Sequence, residues 1–86
     1  MEQHQASSRM EVTAPRYLVV IESGAESYSA YVPDLPGCVA AAETREEVEH
    51  LIREGIALYV ATLREHGEPV PVPTTRALEV SVAQAS

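Results

Sequence analysis

The chain has 86 residues and a formal net charge of -7, with thirteen acidic residues against six basic ones. This balance argues against direct nucleic-acid binding, which needs a basic surface, and favours a basic protein as partner. A single cysteine, Cys38, excludes an internal disulfide, and no apolar run reaches the ~18 residues of a membrane helix, so we expect one small cytoplasmic domain.

The N-terminal third predicts a tail followed by a β-hairpin. Residues 1–15 are polar and without periodicity, which predicts a disordered tail. RYLVVIES (residues 16–23) predicts a first strand, and because both its faces are apolar we expect it to be central and covered on both sides. After the turn GAE, SYSAYVP (residues 27–33) alternates and predicts a second, antiparallel strand.

A tight turn connects this hairpin to a third strand. DLPG (residues 34–37) predicts a type II turn, because Pro36 fixes its own φ and Gly37 tolerates a positive φ. CVAAAE (residues 38–43) then predicts a short strand of small residues, above which another element can pack closely.

The longest periodic segment predicts one amphipathic helix. TREE (residues 44–47) is a capping box, in which Thr44 accepts a hydrogen bond from the backbone N–H of Glu47. Apolar residues then recur at helical spacing, and Gly67 predicts the C-terminal cap. Gly55 lies on the apolar face, which indicates a close approach of the helix to the sheet.

The C-terminal part predicts an extended return and a last strand. EPVPVPTT (residues 68–75) has prolines at alternate positions, and RALEVSV (residues 76–82) places Leu78, Val80 and Val82 on one face, with residues 83–86 as a tail. The order β-β-β-α-β predicts a single α+β domain, with one helix packed on a four-stranded, mostly antiparallel sheet. Because one helix covers only one face of that sheet, we expect the chain to self-associate as a dimer or tetramer.

The search for catalytic chemistry finds one weak candidate. Glu22, Asp34, Glu43 and Glu47 stand at the ends of elements, and paired carboxylates can hold metal ions for phosphodiester cleavage. Glu47, however, is better used as a cap, the three histidines lack a shared metal spacing, and there is no nucleophile turn or phosphate loop. We therefore expect a binding role with no catalytic residue, metal or cofactor, and a residual metal-dependent nuclease is the alternative.

Three motifs together identify a family resemblance. The turn YVPDLPGC, the helix pattern AxTREEVExxIREGIxLY and the exit LREHGEPVPVPT occur in this order, and residues 16–82 resemble the HicB-like antitoxin domain. The resemblance implies a degenerate RNase H-like fold and a non-enzymatic antitoxin of a type II toxin–antitoxin system. Its partner would be a HicA-type toxin, a small basic mRNA ribonuclease that the antitoxin binds and neutralises. Many family members carry a C-terminal DNA-binding domain; this chain ends soon after its last predicted strand, so we expect a short form that does not bind an operator.

The turn after the second strand is the first expected contact with a partner. An exposed apolar residue on a stiff turn can anchor a partner, so the expected contacts are Tyr31, Asp34, Leu35 and Pro36. The sequence is equally compatible with a purely structural role, in which Leu35 packs into its own core.

The polar face of the helix is the second expected contact. Glu46, Glu49 and Glu54 could pair with a basic toxin, or could simply be solvated. The alternative function for the whole chain is a solitary HicB-like oligomeric scaffold or regulatory module without a toxin partner.

Overall fold

The computed structural model of the protein describes residues 15–84. Within this range the chain forms three strands and then one helix: β1 (Val20–Ser23), β2 (Tyr28–Tyr31), β3 (Val39–Ala42) and α1 (Arg45–Glu65). The predicted α+β class and the predicted position of the helix are confirmed. The predicted N-terminal tail, apart from Pro15, lies outside the described residues.

The three strands form an antiparallel sheet in the order β1-β2-β3. Tyr31 of β2 lies opposite Val20 of β1 on one side and opposite Val39 of β3 on the other, which confirms the predicted hairpin and the third strand. The expected central position of the first strand is wrong, since β1 is an edge strand that pairs only with β2 among the described residues. Pairing begins at Val20 and not at residue 16, so Tyr17 and Val19 pack on the core without joining the sheet.

The predicted fourth strand does not form in the described chain. Residues 76–84, called the C-terminal arm below, have no regular secondary structure and make no hydrogen bond with another described residue. The side chains of Leu78, Val80 and Val82 are 86%, 70% and 82% exposed. Alternation in a sequence shows that a segment can pair as a strand, but it does not supply the edge with which that segment pairs.

The core lies between the sheet and one face of α1. Its buried residues are Ala30, Val32, Leu35, Cys38, Val48 and Ile52. Because side chains alternate along a strand, the neighbour of Ala30 in β2, Tyr31, points to the opposite face of the sheet, where it is 41% exposed. The helix therefore covers one face of the sheet, and Val39, 69% exposed, lies with Tyr31 on the other face.

Both ends of α1 have the predicted caps. The backbone N–H of Glu47 donates to Oγ1 of the N-cap residue Thr44 over 3.1 Å. At the other end Gly67 has a φ of 68°, its N–H donates to the carbonyl of Arg64, and the N–H of Glu68 donates to the carbonyl of Leu63. This pair of bonds is the Schellman motif, which satisfies the last carbonyls of the helix and turns the chain back toward the sheet.

The middle of α1 lies close to the start of β3, as Gly55 predicts. A Cβ atom added at Gly55 would lie 3.7 Å from Sγ of Cys38, which is an ordinary van der Waals contact. Gly55 therefore allows the helix backbone to lie close to the sheet, although an added Cβ atom would also fit at this position without a clash.

Candidate partner-binding site

The segment between β2 and β3 is a double turn. The N–H of Leu35 donates to the carbonyl of Val32 over 3.0 Å, and the N–H of Cys38 donates to the carbonyl of Leu35 over 3.0 Å. Gly37, the third residue of the second turn, has a φ of 84°, as a type II turn requires. The backbone of this segment is therefore fixed by its own hydrogen bonds.

Leu35 lies in the core, and the expectation that it is an exposed anchor is wrong. Its side chain is 0% exposed and belongs to the same buried cluster as Val48 and Ile52 of the helix. The double turn folds back over the end of the sheet, and this directs Leu35 inward. Burial of a leucine side chain contributes roughly 2 kcal/mol, so the residue is used for stability.

Of the four contacts predicted around the turn, Tyr31 and Pro36 are exposed. The Pro36 side chain is exposed, while its carbonyl accepts a hydrogen bond of 2.9 Å from the hydroxyl of Tyr59 in α1. The turn is thereby attached to the C-terminal half of the helix. A contact between this turn and a partner stays a prediction. Tyr31 and Pro36 are the predicted residues that are available for it at the surface.

The carboxylate of Asp34 binds two threonines that are about forty positions away in the sequence. The backbone N–H groups of Thr74 and Thr75 each donate to Oδ2 over 2.9 Å, and their hydroxyls donate to Oδ1 over 3.1 Å and 2.8 Å. The backbone N–H of Thr75, followed by that of Thr74, lowers the pKa of Asp34 from 3.8 to about 2. Both oxygens of this carboxylate are thus occupied within the chain. Sequence reasoning missed the two threonines, because no local pattern relates them to Asp34.

The return segment, residues 68–75, is held at a second point by Tyr17. The hydroxyl of Tyr17 donates to the carbonyl of Pro71 over 2.6 Å, and burial raises the pKa of this phenol. The return segment therefore connects the residues before β1 with the turn before β3, and the C-terminal arm leaves the domain at a defined place.

The three acidic candidates lie on the helix, where Glu46 and Glu54 are exposed and Glu49 is half-buried. Glu46 has an exposed side chain, Glu49 accepts a hydrogen bond from Nε of Arg45 over 3.0 Å, and Glu54 lies 3.1 Å from Nε2 of His50. Exposed pairs of this kind contribute little to stability, so these carboxylates can exchange partners readily. Glu46, Glu49 and Glu54 belong to the N-terminal half of α1, whereas the exposed Pro36 is hydrogen-bonded to Tyr59 in its C-terminal half.

The other candidates for chemistry are dispersed. Between residues 15 and 84 no three His, Cys, Asp or Glu side chains are grouped so that they could hold a metal ion. Glu22 is exposed at the β1 edge, Asp34 is occupied by the threonines, and burial raises the pKa of the Cys38 thiol. The one helix of this range is too polar to cross a membrane.

Together these features define a small α+β protein with an acidic helix face and a rigid, anchored turn. Comparison with known proteins gives its family. A model of the HicB-like antitoxin of bacterial toxin–antitoxin systems matches residues 17–85. A UPF0150 protein of Thermoplasma acidophilum is 35% identical over 57 residues, which cover 65% of this chain and 83% of that protein.

The chain therefore belongs to the HicB-like antitoxin family, and the resemblance identified from its motifs is confirmed. Membership implies a role in a toxin–antitoxin system, with a toxin as the suggested partner. It also suggests a role that does not depend on catalysis.

Proposed function

We propose that this protein is the antitoxin of a type II toxin–antitoxin pair, and that it binds and neutralises a HicA-type mRNA ribonuclease without catalysis of its own. The observation that carries the proposal is the family match over residues 17–85. The complex would form in the cytoplasm, where such a toxin meets mRNA. We further propose that the domain is a degenerate RNase H-like fold and that it self-associates.

The charge of the chain supports a basic protein as the partner. The net charge is -7, and Glu46, Glu49 and Glu54 present carboxylates along the N-terminal half of α1. Opposite charges accelerate association and favour the correct partner over proteins of like charge. The same charge opposes direct contact with nucleic acid, which is why the proposed mechanism is capture of the toxin and not competition for its RNA.

The turn adds an apolar contact of fixed shape. Tyr31 and Pro36 are its exposed members, and aromatic residues are enriched at the centres of protein interfaces. Asp34 and Leu35 take part by holding the turn in place, through the threonine hydrogen bonds and through burial.

Co-expression with the product of a neighbouring small basic gene tests the proposal. We expect the wild type to bind that product in a pull-down and to rescue growth from its toxicity. The charge-reversed variant E46K/E49K/E54K should lose most of this binding. E26K/E65K/E68K is the matched control, because it makes the same change in net charge at exposed positions outside the proposed contact.

The two variants separate a local contact from a general effect of charge. Equal losses in both would refute the helix face as the contact, although not the antitoxin role. Absence of both binding and rescue by the wild type would refute the antitoxin role and favour the solitary scaffold.

A further inference from the structure

The C-terminal arm has the properties of a strand without a partner. Leu78, Val80 and Val82 alternate along it, so that all three share one face of an extended chain. All three are exposed, and the backbone of the arm makes no hydrogen bond with another described residue. Such a segment can pair with any free strand edge that offers an apolar surface beside it.

The outer edge of β3 offers such a surface. Among the described residues β3 pairs only with β2, so its other edge is free. Beside this edge lies a hollow of about 370 Å³, called the β3 groove, whose lining includes Cys38, Val39, Gly55, Leu58 and Tyr59. The side chain of Leu58 is 69% exposed there. Because Gly55 has no side chain, the groove is open down to the sulfur of Cys38.

The exposed apolar residues of the domain fall mainly into two sets that complement each other. Leu51 and Leu58 lie on α1 beside β3, and the other large set lies on the return segment and the arm. Val39 and Tyr31 lie on the sheet face that the helix does not cover. The hollow beside β1 is also largely apolar, but Glu49 and Arg53 contribute charged side chains to its lining, whereas none of the described residues that line the β3 groove is charged. The β3 edge is therefore the better acceptor for an apolar strand face.

We propose that residues 76–82 of one copy add to the β3 edge of a second copy as a fourth strand, with Leu78, Val80 and Val82 packed into its β3 groove. We assign a second copy of this chain as the partner for two reasons. The chain carries both the donor strand and the acceptor edge. In the single chain the arm does not pair with its own β3 edge, although that edge is free among the described residues. The polar side of the arm, with Glu79 and Ser81, then lies on the sheet face that the helix does not cover. This inference rests on the proposed self-association and names its surface.

Sedimentation of the full chain and two double variants tests the contact. We expect the wild type to dimerise at micromolar concentration, and L78D/V80D to raise the dissociation constant at least about 100-fold, since two apolar side chains no longer enter the groove. A77D/S81D places the same charge on the opposite face of the arm and should change it less than about 10-fold. The helical circular dichroism signal should be unchanged in both variants, because these side chains are exposed in the single chain.

Disulfide trapping identifies the edge. In a C38A background, E79C chains are mixed with A41C chains, so that each chain has a single cysteine and a mixed disulfide must join two copies. We expect a mixed disulfide with A41C on β3, and much less with E22C, which lies on β1 on the same uncovered sheet face.

Each contrary result has a distinct meaning. A monomeric wild type at all concentrations overturns self-association and the inference with it. A dimer that is insensitive to L78D/V80D overturns the arm as donor, and a mixed disulfide with E22C instead of A41C overturns β3 as acceptor. Neutralisation of the toxin is scored separately by growth rescue, so its failure is distinguishable from these outcomes.

Discussion

Replacement of Leu35 with alanine tests whether the turn is part of the core. The side chain is 0% exposed and packs with Val48 and Ile52, so its truncation removes buried contacts and leaves a cavity. Changes of this kind destabilise proteins by roughly 2–5 kcal/mol. In a domain of this size each kcal/mol lowers the midpoint of thermal unfolding by roughly 4–8 °C, so we expect a decrease of roughly 8–40 °C.

Urea and thermal unfolding, followed by circular dichroism at submicromolar concentration, measure this effect with little contribution from association. Leu58→Ala is the matched control, since it makes the same chemical change at a side chain that is 69% exposed. We expect it to change the free energy of unfolding by less than about 0.5 kcal/mol. If Leu35→Ala were no more destabilising than Leu58→Ala, the turn would not be packed as described, and Leu35 would again be a candidate surface anchor.

Two further predictions concern the helix and the anchored turn. Gly55→Ala should raise the free energy of unfolding by roughly 0.5–1 kcal/mol, because alanine favours a helix interior and the new Cβ meets its nearest neighbour at 3.7 Å. If urea unfolding showed that this variant is destabilised, the helix would lie closer to β3 than described. Asp34 has a pKa lowered from 3.8 to about 2, so its hydrogen bonds stabilise the fold above about pH 4, and this contribution is lost as the pH falls through about 2. The difference in urea midpoint between the wild type and Asp34→Asn should therefore shrink between pH 4 and pH 2, and a constant difference would show that the ionised carboxylate is not what binds the threonines.

Local chemistry made much of this fold predictable. Thr44 and Glu47 determine the start of the helix through one turn of backbone, and Gly67 determines its end through the positive φ that it adopts. The turn at Pro36 and Gly37 is specified in the same way. In each case the residues that make the interaction lie within five positions of each other, so their spacing in the sequence is enough to predict the geometry.

Interactions between distant segments were not predictable in this way. Apolarity on both faces of the first strand suggested a central position, but β1 lies at the edge because no described segment pairs with its outer side. The sequence left both a surface and a core position open for Leu35, since nothing near it in the sequence shows that its side chain joins the core. The hydrogen bonds from Thr74 and Thr75 to Asp34 close a loop of about forty residues, and a single sequence gives no sign of which residues meet across such a distance.

The anchoring of the return segment also limits the kinds of assembly that the protein can form. A chain with one donor arm and one acceptor edge makes a head-to-tail contact, which either closes into a symmetric ring or continues into an open filament. The bonds from Thr74 and Thr75 to Asp34 fix the origin of the arm relative to the edge of its own chain. Closure by reciprocal exchange between two copies then depends on the few residues between Thr75 and Leu78, and lengthening this hinge would relax the geometry and favour closure within one chain or between two copies over larger assemblies.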